Sequence, residues 1–211
     1  MNKPSITLHG TELSGHVHRV VLLLTMLEIP YRFVDAPADV RCSADFLRLN
    51  PLGQIPVLED GAVILADSNA ILVYLAKRYA SGSDWLPEEP LAAARVQRWL
   101  AIAAGELKFG PAAARIMAVW GAPGDRSRAV EIAERLFQFM EAHLEERAYL
   151  AADHPTIADL ALYSYTAHAP EGGIPLEAYP AIRAWLARIE SLPRFKPMPR
   201  STPAVETPLA R

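Results

Sequence analysis

The sequence predicts an α/β domain over residues 1–80 followed by an all-helical domain over residues 91–195. Three observations carry this. Apolar residues recur first with period two and then with helical spacing inside the first 80 residues. Residues 81–90, Ser-Gly-Ser-Asp-Trp-Leu-Pro-Glu-Glu-Pro, concentrate breakers and interrupt the periodicity on both sides, as a linker does. Beyond them no strand pattern returns.

The elements follow in order. Residues 5–9 alternate polar and apolar like a short strand, and residues 10–15 read as a loop. Val17, Val20, Val21, Leu24 and Leu27 then recur at three- and four-residue steps, the pattern of an amphipathic helix with one face on a sheet. Ile29-Pro30 closes that helix, and Tyr31 to Val34 resumes strand character, completing a β-α-β unit. Residues 35–45 are polar and irregular. Val57 to Glu59 and Ala62 to Leu65 flank Asp60-Gly61, a hairpin dipeptide, so an antiparallel pair is expected. Asp67 and Ser68 start a helix that continues through Ile71, Leu72, Leu75 and Tyr79.

The second half carries three helical stripes. They are Val96, Trp99, Leu100 and Ala103, then Ile132, Leu136, Phe139, Met140 and Leu144, then Ile182, Trp185, Leu186 and Ile189. Trp99, Trp185, Phe137 and Phe139 are read as core. Thr156-Ile157-Ala158-Asp159 has capping-box form with aspartate at the third helical position, marking the start of a buried helix.

Composition narrows the function. Of 211 residues 51% are apolar, so a real core is available, and 21 basic against 24 acidic residues leave a formal charge of −3, which argues against general phosphate neutralisation on nucleic acid. The single cysteine, Cys42, excludes an intramolecular disulfide and favours a reducing compartment. Apolar runs such as Val20 to Leu24 are far below the ~20 residues of a membrane span. The N-terminus lacks the apolar stretch of a secretion signal, so a cytoplasmic protein is expected. CxxC, HExxH, GxGxxG and P-loop spacings are absent, as are repeats, and the six histidines form no metal set. Eighteen prolines exceed the usual ~5% share; five fall in the last nineteen residues, where residues 196–211 read as an extended tail.

Three features of the first domain are candidates for chemistry. Ser14, before the first helix, is either its cap or a hydroxyl aimed at an anion over the helix N-terminus. Pro56, opening a strand after a long loop, is either an ordinary trans proline or a cis one that exposes the peptide groups of Ile55 to an added strand. Asp67-Ser68 is either a simple cap or a grip in which the hydroxyl and backbone N–H groups hold a carboxylate and Asp67 an ammonium.

In this order and at these separations, the segments Ser14-Gly15-His16-Val17-His18-Arg19-Val20, Asn50 to Leu58, Asp67 to Leu75, Thr156 to Leu160 and Tyr179 to Trp185 with Pro193-Arg194-Phe195 resemble the glutathione S-transferase family. The resemblance covers nearly the whole chain. It implies a thioredoxin-like first domain, β-α-β-α-β-β-α, that binds glutathione as co-substrate, and a helical domain that shapes the second substrate pocket. By resemblance Ser14 meets the glutathione sulfur, Ile55 pairs with the cysteinyl unit before a cis Pro56, and Asp67 and Ser68 grip the γ-glutamyl end. Gln54 and Arg41 fall near the glycyl carboxylate. Glu106, Phe109, Arg115 and Trp120 would line the second pocket, where Arg115 either meets an anionic substrate or is a solvated helix charge. A homodimer is implied, acting on a small electrophile, peroxide or disulfide.

Two departures leave a second class open, a binding or regulatory protein that keeps the fold without turnover. His16 stands where serine-using members often have asparagine or cysteine, and is read as a thiol contact or as structural. Asp67 stands where glutamate is commoner. Gly15 and His16 replace the second serine and the cysteine typical of the isomerase branch. Cys42 lies after the second strand rather than before the first helix, so it is read as a bystander.

Overall fold

A computed structural model describes residues 6–201. Four strands form one mixed sheet in the order β2-β1-β3-β4, from β1 (Ile6–Gly10), β2 (Tyr31–Asp35), β3 (Val57–Asp60) and β4 (Val63–Ala66). β1 runs parallel to β2, with Leu8 opposite Phe33, and antiparallel to β3, with Leu8 opposite Leu58. A crossover is required between the parallel pair, and α1 (Gly15–Met26) supplies it. The hairpin sits one residue later than expected: Asp60 pairs with Val63, and Gly61 opens the loop at φ 60°, a conformation glycine adopts without cost.

The segment read as irregular contains two short helices, α2 (Ala38–Arg41) and α3 (Ala44–Leu49). Ser43 caps the second by accepting from Phe46 N at 3.2 Å, and Phe46 is the one residue of α3 that is buried. One anchored apolar residue in six is too little for periodicity to register. After β4, α4 (Ser68–Tyr79) completes the α/β half, and the next helix begins at Pro90.

The remaining helices are α5 (Pro90–Ala104), α6 (Ala113–Trp120), α7 (Arg126–Leu144), α8 (Ile157–Ala167) and α9 (Pro180–Glu190). A π-helical turn, Lys108–Ala112, precedes α6. Pro111 inside it has no N–H to give an α-helical ladder, so the widened turn is where the chain accommodates it. A 3-10 turn, Ala169–Gly172, follows α8.

α8 is the axis of the molecule: every residue from Ile157 to Thr166 is buried, as expected of a helix apolar on all sides. Its cap is the box foreseen in the sequence. Thr156 Oγ1 accepts from Ala158 N at 3.2 Å while Asp159 Oδ2 accepts from Thr156 N at 2.9 Å. Asp159 does more than cap, because Oδ1 also takes the Leu150 N–H at 3.0 Å and the Trp185 indole N–H at 2.9 Å. Burial pushes this carboxyl up, against those hydrogen bonds.

α1 packs on α4 and on α8, so both its faces are covered and Val17 through Leu24 are all buried, including His18 and Arg19. The one-sided helix expected from the stripe is thus corrected; α8 covers what would have been its solvent face. Phe139 is a second correction. It is 37% exposed and lies outside the core, stacked on Trp99 at 5.4 Å with the Arg98 guanidinium over its ring. Pro203 and Pro208 lie outside the described residues.

Candidate functional site

The end of β1, the start of α1, the loop before β3 and the start of α4 open onto one cleft of about 1520 Å³, closed on the far side by the π turn, α6 and the start of α7. Ser14 sits at its base as the N-cap of α1. Its Oγ accepts from Val17 N at 3.4 Å, a long bond that occupies a lone pair and leaves the hydroxyl proton to donate elsewhere. The capping role is therefore real and does not exclude a donor role.

His16, two residues on, lies edge-to-face with Tyr165 at 4.9 Å and has Nδ1 3.5 Å from Ser68 Oγ. Burial, with Arg19 and Lys108 nearby, pulls its pKa down to about 3, so the imidazole is neutral at physiological pH. His16 contributes a hydrogen-bonding edge to the cleft and no positive charge.

The Ile55–Pro56 peptide bond is cis. β3 starts at Val57, so the peptide groups of Ile55 lie outside the ladder, at the cleft wall. Asp67 has φ 72° and ψ 122°, a region L-residues rarely enter. Its Oδ1 holds that geometry by accepting from Asn69 N at 2.9 Å and Ala70 N at 3.0 Å. The carboxylate keeps its second oxygen for the cleft, and Ser68, 4% exposed, stands beside it. Arg41 at the end of α2 and Gln54 line the same cleft; Arg41 Nε is buried with no partner among the described residues, and Gln54 is exposed.

On the helical side Phe109 and Trp120 line the cleft and are half exposed, held there by the π turn and the end of α6. Glu106 is exposed and is not among the lining residues, which corrects its expected place. Arg115 is corrected in character. It is 1% exposed, paired with Glu171 at 2.7 Å, and donates from Nη1 to Leu13 O and from Nη2 to Ser201 Oγ, each at 2.9 Å. A solvated helix charge it is not. Burial alone would raise the Glu171 carboxyl; hydrogen bonds from His168 and Arg115 outweigh it and hold the group low.

Three cleft residues went unnoticed in the sequence. Tyr165 on α8 brings its hydroxyl to the Ser14 side chain and the His16 backbone, and burial pushes that hydroxyl up. Lys108 stands at the mouth. Arg19 lies beneath Ser68, and a charge amid Val17, Val20 and Val21 was the signal that could have found it. Cys42 is exposed and absent from the lining. No helix among the described residues is long and apolar enough to cross a membrane.

Residues 8–85 match the family described as glutathione S-transferase, N-terminal domain, and residues 119–193 match glutathione S-transferase, C-terminal domain. Glutathione S-transferase 3 of Zea mays is 35% identical over 209 residues, covering 90% of this chain and 91% of its own. A glutathione S-transferase structure from Pseudomonas fluorescens superposes with a TM-score of 0.86 at 35% identity, covering 92% of this chain and 98% of its own. A glutathione transferase homolog from Drosophila mojavensis, solved with bound glutathione, superposes with a TM-score of 0.81 at 27% identity, covering 90% and 89%. Matched in both halves and along nearly its whole length, the chain belongs to the glutathione S-transferase family.

Proposed function

We propose that this glutathione transferase activates the thiol of glutathione at Ser14 for attack on a small electrophilic or oxidised substrate. One observation carries the reading: the Ser14 hydroxyl, the cis Ile55–Pro56 peptide, the Asp67–Ser68 pair and Arg41 all line a single cleft. Each group has a matching part of the tripeptide. Ser14 donates to the sulfur, the Ile55 peptide pairs with the cysteinyl backbone, Asp67 takes the γ-glutamyl ammonium and Ser68 its carboxylate. Arg41 and Gln54 face the glycyl carboxylate.

The energetics are of the right size. A free thiol with pKa about 8.5 is only ~3% ionised at pH 7, and lowering it by about two units takes roughly 2.7 kcal/mol. A charge-assisted hydrogen bond contributes about 1.5–3 kcal/mol and a helix N-terminus about 0.3–1. The serine therefore need not ionise. The second substrate would lie against Phe109, Ile116, Met117 and Trp120, an apolar wall with Lys108 at its edge.

The same reading assigns residues 1–80 to glutathione, residues 81–90 to a linker, residues 91–195 to the second substrate, and residues 196–211 to a tail. It places a homodimer in the cytoplasm. Isothermal titration with glutathione followed by turnover assays on electrophiles, hydroperoxides and mixed disulfides tests it. Binding with turnover of one class is the expected result. Binding without any turnover would favour a regulatory protein, and no binding at millimolar glutathione would refute the reading.

A further inference from the structure

The helical side of the cleft is an apolar wall with a cation at its edge, and the π turn Lys108–Ala112 sets both. Gly110 at the centre of the turn lets it lie directly against α7, since a Cβ there would stand 2.8 Å from Ala133 N. The first two residues of the turn, Lys108 and Phe109, line the cleft, and Trp120 at the end of α6 joins them. Both rings are half exposed although they lie in a cleft. One face of each is taken by a cation: Lys108 Nζ lies 5.4 Å from the centre of the Phe109 ring, and the Arg115 guanidinium 5.1 Å from that of Trp120. The remaining exposed surface of the two rings suits a flat aromatic group.

The cations on this side differ in what compensates them. Arg115 is buried and paired with Glu171, and Arg128 pairs with Glu131 at 2.7 Å. Lys108 has no carboxylate partner among the described residues, although Glu12, Asp35, Asp67 and Asp125 line the same cleft. Asp67 and Asp125 are engaged by backbone N–H groups, each capping the helix that follows it. Lys108 also lies toward the reacting end of the cleft, for its charge helps to keep His16 neutral, two residues after Ser14. An uncompensated ammonium at the edge of an apolar wall favours ligands that bring a negative charge to that point. One compact ammonium on a flexible stem matches a monoanion and makes no demand for the bidentate geometry of a guanidinium.

We propose that the preferred second substrates are aromatic electrophiles carrying a carboxylate-type monoanion, and that Lys108 selects them: the aryl body lies against Phe109 and Trp120 while the anion meets the Lys108 ammonium. The inference rests on the glutathione reading above and deepens it by naming the class of the second substrate. Neutral electrophiles of the same shape would meet the wall without that contact.

The test compares S-(4-carboxybenzyl)glutathione with S-(4-carbamoylbenzyl)glutathione, two conjugates of one shape that differ in the charge. Neither turnover nor an ionisable thiol enters the comparison. Binding to the full chain and its variants is measured by calorimetry, beside glutathione itself. Wild-type protein should prefer the carboxylate about threefold to fivefold at low salt, the size of one partly exposed ion pair. That preference should shrink as salt approaches about 1 M, where the screening length falls to ~3 Å. Lys108→Met should bring the ratio to about one, and Lys108→Arg, which keeps the charge, should retain it. Lys108 is exposed, so both variants should fold. Equal affinity of the wild-type protein for the two conjugates would overturn the proposal, as would a preference that survives in Lys108→Met. Equal weakening of both conjugates in Lys108→Met would overturn it in favour of a structural role for the π turn. Weaker binding of glutathione with an unchanged ratio would assign Lys108 to the thiol instead. If glutathione binds and neither conjugate does, this proposal alone is refuted; if none of the three binds, the glutathione reading itself falls.

Discussion

Arg115 on α6 donates to the carbonyl of Leu13 at 2.9 Å, so the helical half of the chain holds the residue immediately before Ser14. The same guanidinium is anchored by Glu171 at 2.7 Å and by Ser201, and Glu171 in turn accepts from His168 at 2.6 Å. Four segments far apart in sequence meet at this one side chain, and its geometry sets where the α1 cap stands.

Arg115→Leu should therefore destabilise the protein well beyond a surface change. Breaking one side of a buried ion pair typically costs about 3–5 kcal/mol, and Glu171 would keep only His168 and the Ser201 N–H as partners. Chemical denaturation should show a lower midpoint at unchanged slope. The Ser14 loop also loses a tether, so kcat should fall more than the affinity for glutathione.

Gly15 is required by a close approach. A Cβ built there would lie 2.8 Å from Tyr165 Cζ, inside the ring's contact distance, and that ring is buried. Gly15→Ala should cost about 1–3 kcal/mol as an overpacking change and push Tyr165 off Ser14 and His16. Denaturant unfolding checks the first effect, and a fall in turnover at saturating glutathione checks the second.

Asp67→Asn separates capping from charge. Asparagine caps as well as aspartate and tolerates positive φ, so folding stability should change by less than about 0.5 kcal/mol. Removing the carboxylate should nevertheless weaken glutathione by about tenfold or more, through the lost partner of its ammonium. Thermal melts without ligand and titration with glutathione measure the two halves.

Acid should weaken the fold well before its carboxylates titrate. Burial holds His16 at about 3 and His18 at about 4, and also lowers His143 and His168. These groups are neutral when folded and take up protons on unfolding, so the unfolded chain binds more protons below pH 6.5. Stability is then fully present above 6.5 and declines as pH falls toward 4, by up to about 1.4 kcal/mol per pH unit for each of His16 and His18. Asp159, raised by burial, acts with the opposite sign, but it is one group against several. The melting temperature should fall clearly between pH 7 and pH 5; a flat profile would contradict this.

The sequence made the local features legible and hid the tertiary ones. The strands, the 3.6-residue stripes, the Thr156–Asp159 box and the candidate residues Ser14, Pro56 and Asp67-Ser68 are readable because each is encoded within a few neighbouring residues. The burial of Arg115 was not, because its partner Glu171 is 56 residues away and nothing beside Arg115 in the chain hints at it. Arg19 and Tyr165 show the same limit: their neighbours in the chain do not mark them as cleft residues, and the packing of α1 against α8 is what brings both there. Glu106, expected in the second pocket by resemblance alone, is exposed and off the lining, and Phe139 lies outside the core because a stripe predicts a face without saying how far the neighbouring helices cover it. The π turn that aims Phe109 into the cleft comes from Pro111, whose effect on the next turn has no periodic signature.

The central claim is that Ser14 lowers the pKa of the bound glutathione thiol. Titrating the thiolate absorbance of glutathione bound to wild-type protein and to Ser14→Ala measures it directly. Both proteins should fold, the variant losing only a cap worth about 0.5–2 kcal/mol. The wild-type complex should ionise about two units below the free thiol, and the variant should return most of the way to the free value of about 8.5, with turnover lost in parallel. An identical thiol pKa in the two complexes would contradict the account.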